Sequence, residues 1–148
     1  MSQTISLTKV LHVRENEKKV AQKAFINSQE AFERVATKLY DLLKKKELAE
    51  KSYDEFIQEQ TPLERIKEQI TYIEHLNNAI IHLQREVQFA RTQMEQKQQH
   101  LTAAHIEVKK FESIIEKRKQ QETEKRAKLE KAFMDEISIN QYLSNQNR

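Results

Sequence analysis

The sequence predicts an all-α protein in which two long helices fold back on each other as an antiparallel coiled-coil hairpin. Glycine is absent from the 148 residues and proline occurs once, so the chain has few of the residues that tight turns and helix ends favour. Apolar residues also recur every seven positions in both halves of the chain, as a coiled coil requires. The single proline, Pro62, lies between the two halves.

The clearest heptad pattern lies in the second half of the chain. One column is apolar at every position: Ile66, Ile73, Ile80, Val87, Met94, Leu101, Val108 and Ile115. A companion column three positions later is apolar at five of its seven positions: Gln69, Leu76, Leu83, Ala90, Lys97, Ala104 and Phe111. A seam sustained over seven repeats predicts a coiled-coil helix, helix 2, from about 62 to 140.

A less regular pattern predicts helix 1 from about 5 to 59. Its two columns are mostly apolar: Leu7, Arg14, Ala21, Ser28, Val35, Leu42, Ala49 and Phe56, with Leu11, Lys18, Phe25, Phe32, Leu39, Lys46 and Tyr53. The turn is expected near 60–62. There Thr61 is the predicted N-cap of helix 2, Pro62 its first residue, and Glu64 the reciprocal partner of a capping box.

An antiparallel pair gives facing residues a constant sum of residue numbers, and 122 aligns the columns of the two halves. Leu42 then faces Ile80, and Phe32 faces Ala90. Helix 1 runs out of partners near residue 115 of helix 2, so we expect an unpaired helical overhang from about 116. The prediction is one elongated hairpin over 1–148, with helix 2 overhanging at its C-terminus.

Composition and spacing argue against catalysis. Phosphate-binding loops need several glycines, which this chain lacks. The five histidines lack the adjacent-turn spacing that lets one helix present two metal ligands: His12, His75, His82, His100 and His105. We therefore expect no enzyme activity, no cofactor and no metal site. No apolar run reaches the roughly 18 residues that span a bilayer, so we expect a cytoplasmic protein without direct membrane insertion.

The charge distribution leaves two other functions open. There are 26 basic and 23 acidic residues, a net charge of +3, but 117–131 alone holds seven Lys or Arg and three Glu. One alternative is therefore a basic nucleic-acid-binding arm. Acidic residues are interleaved with the basic ones there, and no aromatic platform for bases lies beside them, so we expect no nucleic-acid partner. The other alternative is a purely structural coiled coil.

Three stretches resemble the flagellar export protein FliJ family: 7–18 (LTKVLHVRENEK), 91–112 (RTQMEQKQQHLTAAHIEVKKFE) and 133–142 (FMDEISINQY). This resemblance covers nearly the whole chain. It implies a small cytoplasmic component of the flagellar type III export apparatus, peripheral to the inner face of the cell membrane at the flagellar base. The implied partners are the hexameric export ATPase, whose pore the stalk-like hairpin enters, the membrane export gate protein, and the export chaperones that it escorts.

The resemblance also implies an export-gate surface on helix 2. The family pattern is an aromatic residue, then Leu four places on, Ala three further, and then His. Tyr72, Leu76 and Ala79 fit this pattern; Leu83 stands at the histidine position, and His82 is one place before it. Because the register sets Lys46 opposite Leu76, we expect Leu76 to be partly exposed.

The overhang is the expected site for the ATPase. Its basic residues would meet the ATPase pore first, by long-range attraction: Lys117, Arg118, Lys125 and Arg126. Its apolar stripe would supply short-range burial: Leu129, Phe133 and Ile137. Where α1 no longer covers helix 2, burying these apolar side chains against another protein is energetically favourable.

Overall fold

A computed structural model of the protein describes residues 2–146, and these form two α-helices. Helix α1 spans Ser2–Gln58 and helix α2 spans Leu63–Gln146, with 57 and 84 residues. The described residues contain no strand. The helices pack on each other in antiparallel fashion, and α2 overhangs α1 at its C-terminus. The predicted all-α hairpin is therefore confirmed.

The chain divides into two compact units, each containing a part of both helices. The turn unit spans Lys19–Ala103. In it, Gln69 Nε2 donates a hydrogen bond to the backbone oxygen of Ala49 at 3.0 Å. Arginines of α2 lie over phenylalanine rings of α1, Arg65 at 5.5 Å from the Phe56 centroid and Arg91 at 5.7 Å from that of Phe32.

The terminal unit joins α1 up to Lys18 with α2 from Ala104 onward. Arg118 Nη1 donates a hydrogen bond to Gln3 Oε1 at 2.8 Å, and Thr4 Oγ1 donates one to Glu122 Oε1 at 3.3 Å. Arg14 lies 5.8 Å from the centroid of Phe111. Cross-helix contacts therefore reach Glu122, seven residues past the predicted last partner near residue 115.

The core of both units is the predicted heptad seam. Every buried hydrophobic residue belongs to one of the predicted columns: Ala21, Ala49, Leu76, Ile80, Val87, Val108 and Ile115. In the cross-helix pairs above, the two residue numbers add to between 118 and 126, around the predicted 122. Within residues 3–146 no polar or charged residue is fully buried, so apolar burial along the seam holds the helices together.

Arg14 shows how the seam accepts a charged residue. Its Nη1 donates to both carboxylate oxygens of Glu17 at 3.1 Å, and its guanidinium stacks on Phe111. Its Nε is buried without a hydrogen-bond partner. The long side chain thus fills a seam layer while its charged end reaches the edge of the interface.

The turn between the helices is built without glycine. Gln60 has φ of 52°, in the left-handed region. Thr61 N donates to Phe56 O at 3.0 Å and Gln60 N donates to Ile57 O at 3.4 Å, which is the bonding pattern of a Schellman motif at the end of α1. Gln60 therefore occupies the position that glycine usually fills.

The start of α2 differs from the prediction by one residue. The Pro62 carbonyl accepts the first helical bonds, from Arg65 N at 3.0 Å and Ile66 N at 3.3 Å, so Pro62 and not Thr61 is the N-cap. The reason is that Thr61 belongs to the Schellman motif that ends α1. Helix α1 also begins at Ser2 rather than near Ile5, and α2 continues to Gln146 rather than about 140.

Candidate partner-binding surfaces

The predicted export-gate residues do not form one exposed surface. Tyr72 is 45% exposed and His82 is exposed, whereas Ala79 and Leu83 are half-buried. Spacings of seven and three residues put Tyr72, Ala79 and His82 on one face of α2, beside the seam. His82 Nε2 lies 3.2 Å from Glu86 Oε1, one turn further along this face. We call these three residues the flank surface.

The expectation that Leu76 is partly exposed is wrong. Leu76 is only 6% exposed and belongs to the buried seam. Lys46, which the register places opposite, keeps its side chain about one-third exposed, and its Nζ lies 3.8 Å from Glu50 Oε1 on its own helix. A lysine can lay its alkyl stem along an apolar interface and keep its ammonium in water. Lys46 therefore does not expose the Leu76 side chain opposite it.

Phe89 lies on the same face as the flank surface and was missed by the sequence analysis. It is seven residues after His82 and 68% exposed. Beside it is a groove of about 560 Å³ between the two helices of the turn unit, lined on α1 by Ser28, Ala31 and Val35. The available signal was the seven-residue spacing from His82 together with the small residues of α1. Heptad columns alone do not reveal such a site, because Phe89 lies outside the seam.

The predicted basic residues of the ATPase surface differ in their surroundings. Arg118 is half-buried because its guanidinium is hydrogen-bonded to Gln3 of α1. Lys117, Lys125 and Arg126 are exposed. The prediction that α2 is unpaired from about 116 is therefore corrected. The cross-helix contacts at Arg118 and Glu122 exist because α1 begins at Ser2, and the overhang starts after Glu122.

The apolar residues of the overhang are exposed to a large degree. Leu129 is 63% and Phe133 is 62% exposed, while Ile137 is half-buried. Four more large apolar or aromatic side chains of this segment are more than half exposed: Met134, Ile139, Tyr142 and Leu143. We call 123–146 the overhang. It holds the densest group of exposed apolar side chains among the described residues.

The described residues were also compared with the requirements of a metal site and of a membrane span. Over the described residues, no group of three or more His, Cys, Asp or Glu side chains is placed to hold a metal ion. No helix among them has a stretch both long and apolar enough to cross a membrane. The exposed side chains of the two surfaces are apolar, aromatic and charged groups on helix faces.

The comparisons with known proteins agree with the resemblance seen in the sequence. The family model described as "Flagellar FliJ protein" matches residues 2–147. The chain is 35% identical over 143 residues to the flagellar FliJ protein of Bacillus subtilis (strain 168), which covers 97% of each chain. No solved structure gives a significant match. We conclude that the chain belongs to the FliJ family of flagellar export-related proteins.

Proposed function

We propose that this protein is a non-catalytic coupling component of the flagellar type III export apparatus. In this role it links the hexameric export ATPase to the membrane export gate and escorts export chaperones. It works in the cytoplasm, peripheral to the inner face of the membrane at the flagellar base. Family membership supports the setting, and the distribution of exposed side chains supports the assignment of surfaces.

The observation that carries the proposal is the overhang. From residue 123 to Gln146, α2 continues as a helix beyond Glu122, which accepts a hydrogen bond from Thr4 of α1. Lys125 and Arg126 stand at its start, followed by Leu129 and Phe133 on an exposed face. A single helix is the narrowest element that this fold offers, and this one carries both basic side chains for long-range attraction and apolar contact area for a ring-shaped partner.

The gate contact is proposed for the flank surface together with Phe89. These residues belong to the turn unit, whereas the overhang belongs to the terminal unit. The two surfaces share no residue, so a partner bound to one surface does not cover the side chains of the other. Tyr72 and Phe89 supply the aromatic area that dominates most protein interfaces.

The deciding experiment measures hydrolysis by the purified export ATPase against added protein. Full-length protein should stimulate hydrolysis, and a chain truncated after Thr123 should not. Cutting there removes the overhang but keeps the cross-helix bonds of Gln3 and Thr4. Truncation after Glu116 would also remove Arg118 and Glu122, and so would disturb the packed part of the terminal unit.

A matched pair of variants separates the overhang from general surface effects. Leu129→Ser with Phe133→Ser should abolish stimulation, whereas Val20→Ser with Leu48→Ser should not, since both pairs replace exposed apolar residues in a helix. All chains are compared at equal helicity by circular dichroism. Stimulation by the truncated chain would refute the assignment of the overhang to the ATPase. If the protein instead binds RNA with an affinity that falls steeply with salt, the nucleic-acid alternative gains support.

A further inference from the structure

The overhang has opposite charge in its two parts. Residues 123–128 hold three Lys or Arg and one Glu, a balance of +2. Residues 129–146 hold one Lys, two Glu and one Asp, a balance of −2. The side chains of Lys125, Lys128, Asp135 and Glu136 are all exposed. This segment therefore presents a basic and an acidic stretch along one continuous helix.

The two heptad columns of the seam that α1 covers elsewhere run on into the overhang. Counting sevens from Ile115, which is buried against α1, leads through Glu122 to Leu129. Counting from Arg118 in the companion column leads through Lys125 to Ala132 and Ile139. The interface between α1 and α2 thus extends as a half-interface past the start of α1. Its natural occupant is another antiparallel helix with the same heptad spacing.

The geometry points to a second copy of this chain as that occupant, with the two overhangs paired antiparallel. In a register centred between residues 130 and 131, Lys125 lies opposite Glu136 of the second copy. Lys128 and Asp135 of the second copy do not face each other directly, but both flank the seam on the same side, and their sum of 263 departs from the register sum of 261 by less than the hairpin's own cross-helix pairs depart from 122. Two-fold symmetry repeats both pairs, which gives four opposite-charge pairs in all. A parallel arrangement would place basic stretch against basic stretch.

The same register allows a contact of the kind that the hairpin uses three times, an arginine over a phenylalanine ring of the other helix. Arg14, Arg65 and Arg91 each lie over a phenylalanine ring of the other helix, at 5.5–5.8 Å from its centroid. Between two overhangs, Arg126 and Phe133 of the second copy flank the seam on the same side, and their sum of 259 also lies within that spread. Leu129 comes opposite Ala132 of the second copy, a large side chain against a small one, as interdigitated packing requires.

Sedimentation equilibrium of the purified full-length protein tests this inference without any other component, so it does not depend on the proposed function. The weight-average mass should rise with concentration from 17.7 kDa towards twice that value. The chain truncated after Thr123 should remain at the monomer mass. A full-length protein that stays monomeric, or a truncated one that associates equally well, would overturn the proposal.

Charge reversal tests the register. Lys125→Glu with Lys128→Glu, and separately Asp135→Lys with Glu136→Lys, should each abolish self-association, because every one of the four pairs becomes like-charged. Mixing the two variants should restore the dimer mass, because all four pairs are again of opposite charge. The matched controls, Lys45→Glu with Lys51→Glu and Asp54→Lys with Glu55→Lys, change exposed residues of α1 and should dimerise as the unmodified protein does.

The remaining outcomes are equally decisive when all variants have the same helicity. If a charge-reversed variant self-associates as strongly as the unmodified protein, the antiparallel register is wrong. If both variants remain monomeric when mixed, the pairing is wrong as well. This experiment does not measure stimulation of the ATPase. Absence of self-association would therefore not contradict the proposed coupling role, and absence of stimulation would not contradict self-association.

Discussion

At the scale of single residues, position relative to the seam separates side chains that hold the fold from those that are free to bind a partner. Tyr72 and Leu76 are four residues apart, yet Tyr72 is 45% exposed and Leu76 is 6% exposed. The resemblance to the family groups both as gate contacts. The packing separates their roles. Leu76 stabilises the hairpin, whereas the exposed ring of Tyr72 is accessible to a second protein.

Replacing these two residues should therefore have opposite consequences. Tyr72→Ala should weaken gate binding while leaving the melting curve almost unchanged, since exposed substitutions usually alter stability by at most about 0.5 kcal/mol. Leu76→Ala should lower the free energy of unfolding by about 2–5 kcal/mol, as buried leucine truncations do. Binding to the purified gate protein is compared with urea unfolding.

Tyr40→Ala serves as the control, because Tyr40 is an exposed tyrosine of α1 outside both surfaces. It should bind the gate as the unmodified protein does. If Tyr72→Ala loses stability in proportion to binding, Tyr72 acts through folding and not through contact. If it binds normally, the flank surface is not the gate site.

At the scale of elements, the turn determines where both helices end. The Schellman bonds of Gln60 and Thr61 stop α1, and the Pro62 carbonyl starts α2 immediately afterwards. The sequence indicated a turn here through Pro62 but gave no sign of the left-handed residue, because glycine, its usual marker, is missing. The capping-box pattern predicts Thr61 as the N-cap of α2, because the pattern does not show that the Thr61 amide is already bonded to α1.

Gln60→Gly should stabilise the protein. A residue with a side chain at φ of 52° carries a steric cost that glycine avoids, and part of this gain is offset by the greater freedom of glycine in the unfolded chain. We expect an increase of about 1 kcal/mol in the free energy of unfolding. Urea denaturation monitored by circular dichroism measures it.

The control for this substitution is Lys51→Gly, at an exposed position inside α1. It should lower the free energy of unfolding by about 1 kcal/mol, the usual cost of glycine in a helix interior. Equal destabilisation by both substitutions would show that Gln60 is not held in the left-handed conformation.

At the scale of the whole molecule, the heptad columns were enough to predict the hairpin and its seam. Apolar periodicity works well because each buried residue, such as Ile80 or Val87, lies on the one stripe that a second helix can cover. Contacts that depend on polar side chains were not predictable in this way. The hydrogen bonds between Arg118 and Gln3 and between Thr4 and Glu122 follow no heptad period. Because of them, the overhang starts after Glu122 and not at the predicted residue 116.

An engineered disulfide tests the register of the hairpin. Phe32→Cys with Ala90→Cys should form an intramolecular crosslink, because Arg91 lies over the Phe32 ring and both positions are half-buried along the seam. The chain has no cysteine of its own, so any crosslink reports this pair. Mobility on a non-reducing gel and the mass of linked peptides identify it.

Phe32→Cys with Thr92→Cys is the matched control. Thr92 is two residues away on the exposed side of α2, and its cysteine would be too far from position 32 for a disulfide to form. Crosslinking only between molecules, or equal crosslinking of both pairs, would contradict the seam register.

The single four-residue turn also sets the entropy of closing each cross-helix contact. The bond from Gln69 to Ala49 closes a loop of 20 residues, whereas the bond from Arg118 to Gln3 closes one of 115. In the unfolded chain, closing the longer loop directly costs about 1.5 kcal/mol more. Contacts near the turn are therefore the favoured starting point of folding, and pairing then spreads one heptad at a time towards the termini. The last layers to close are those next to the overhang, so the segment proposed to bind partners adjoins the part of the hairpin that opens most readily.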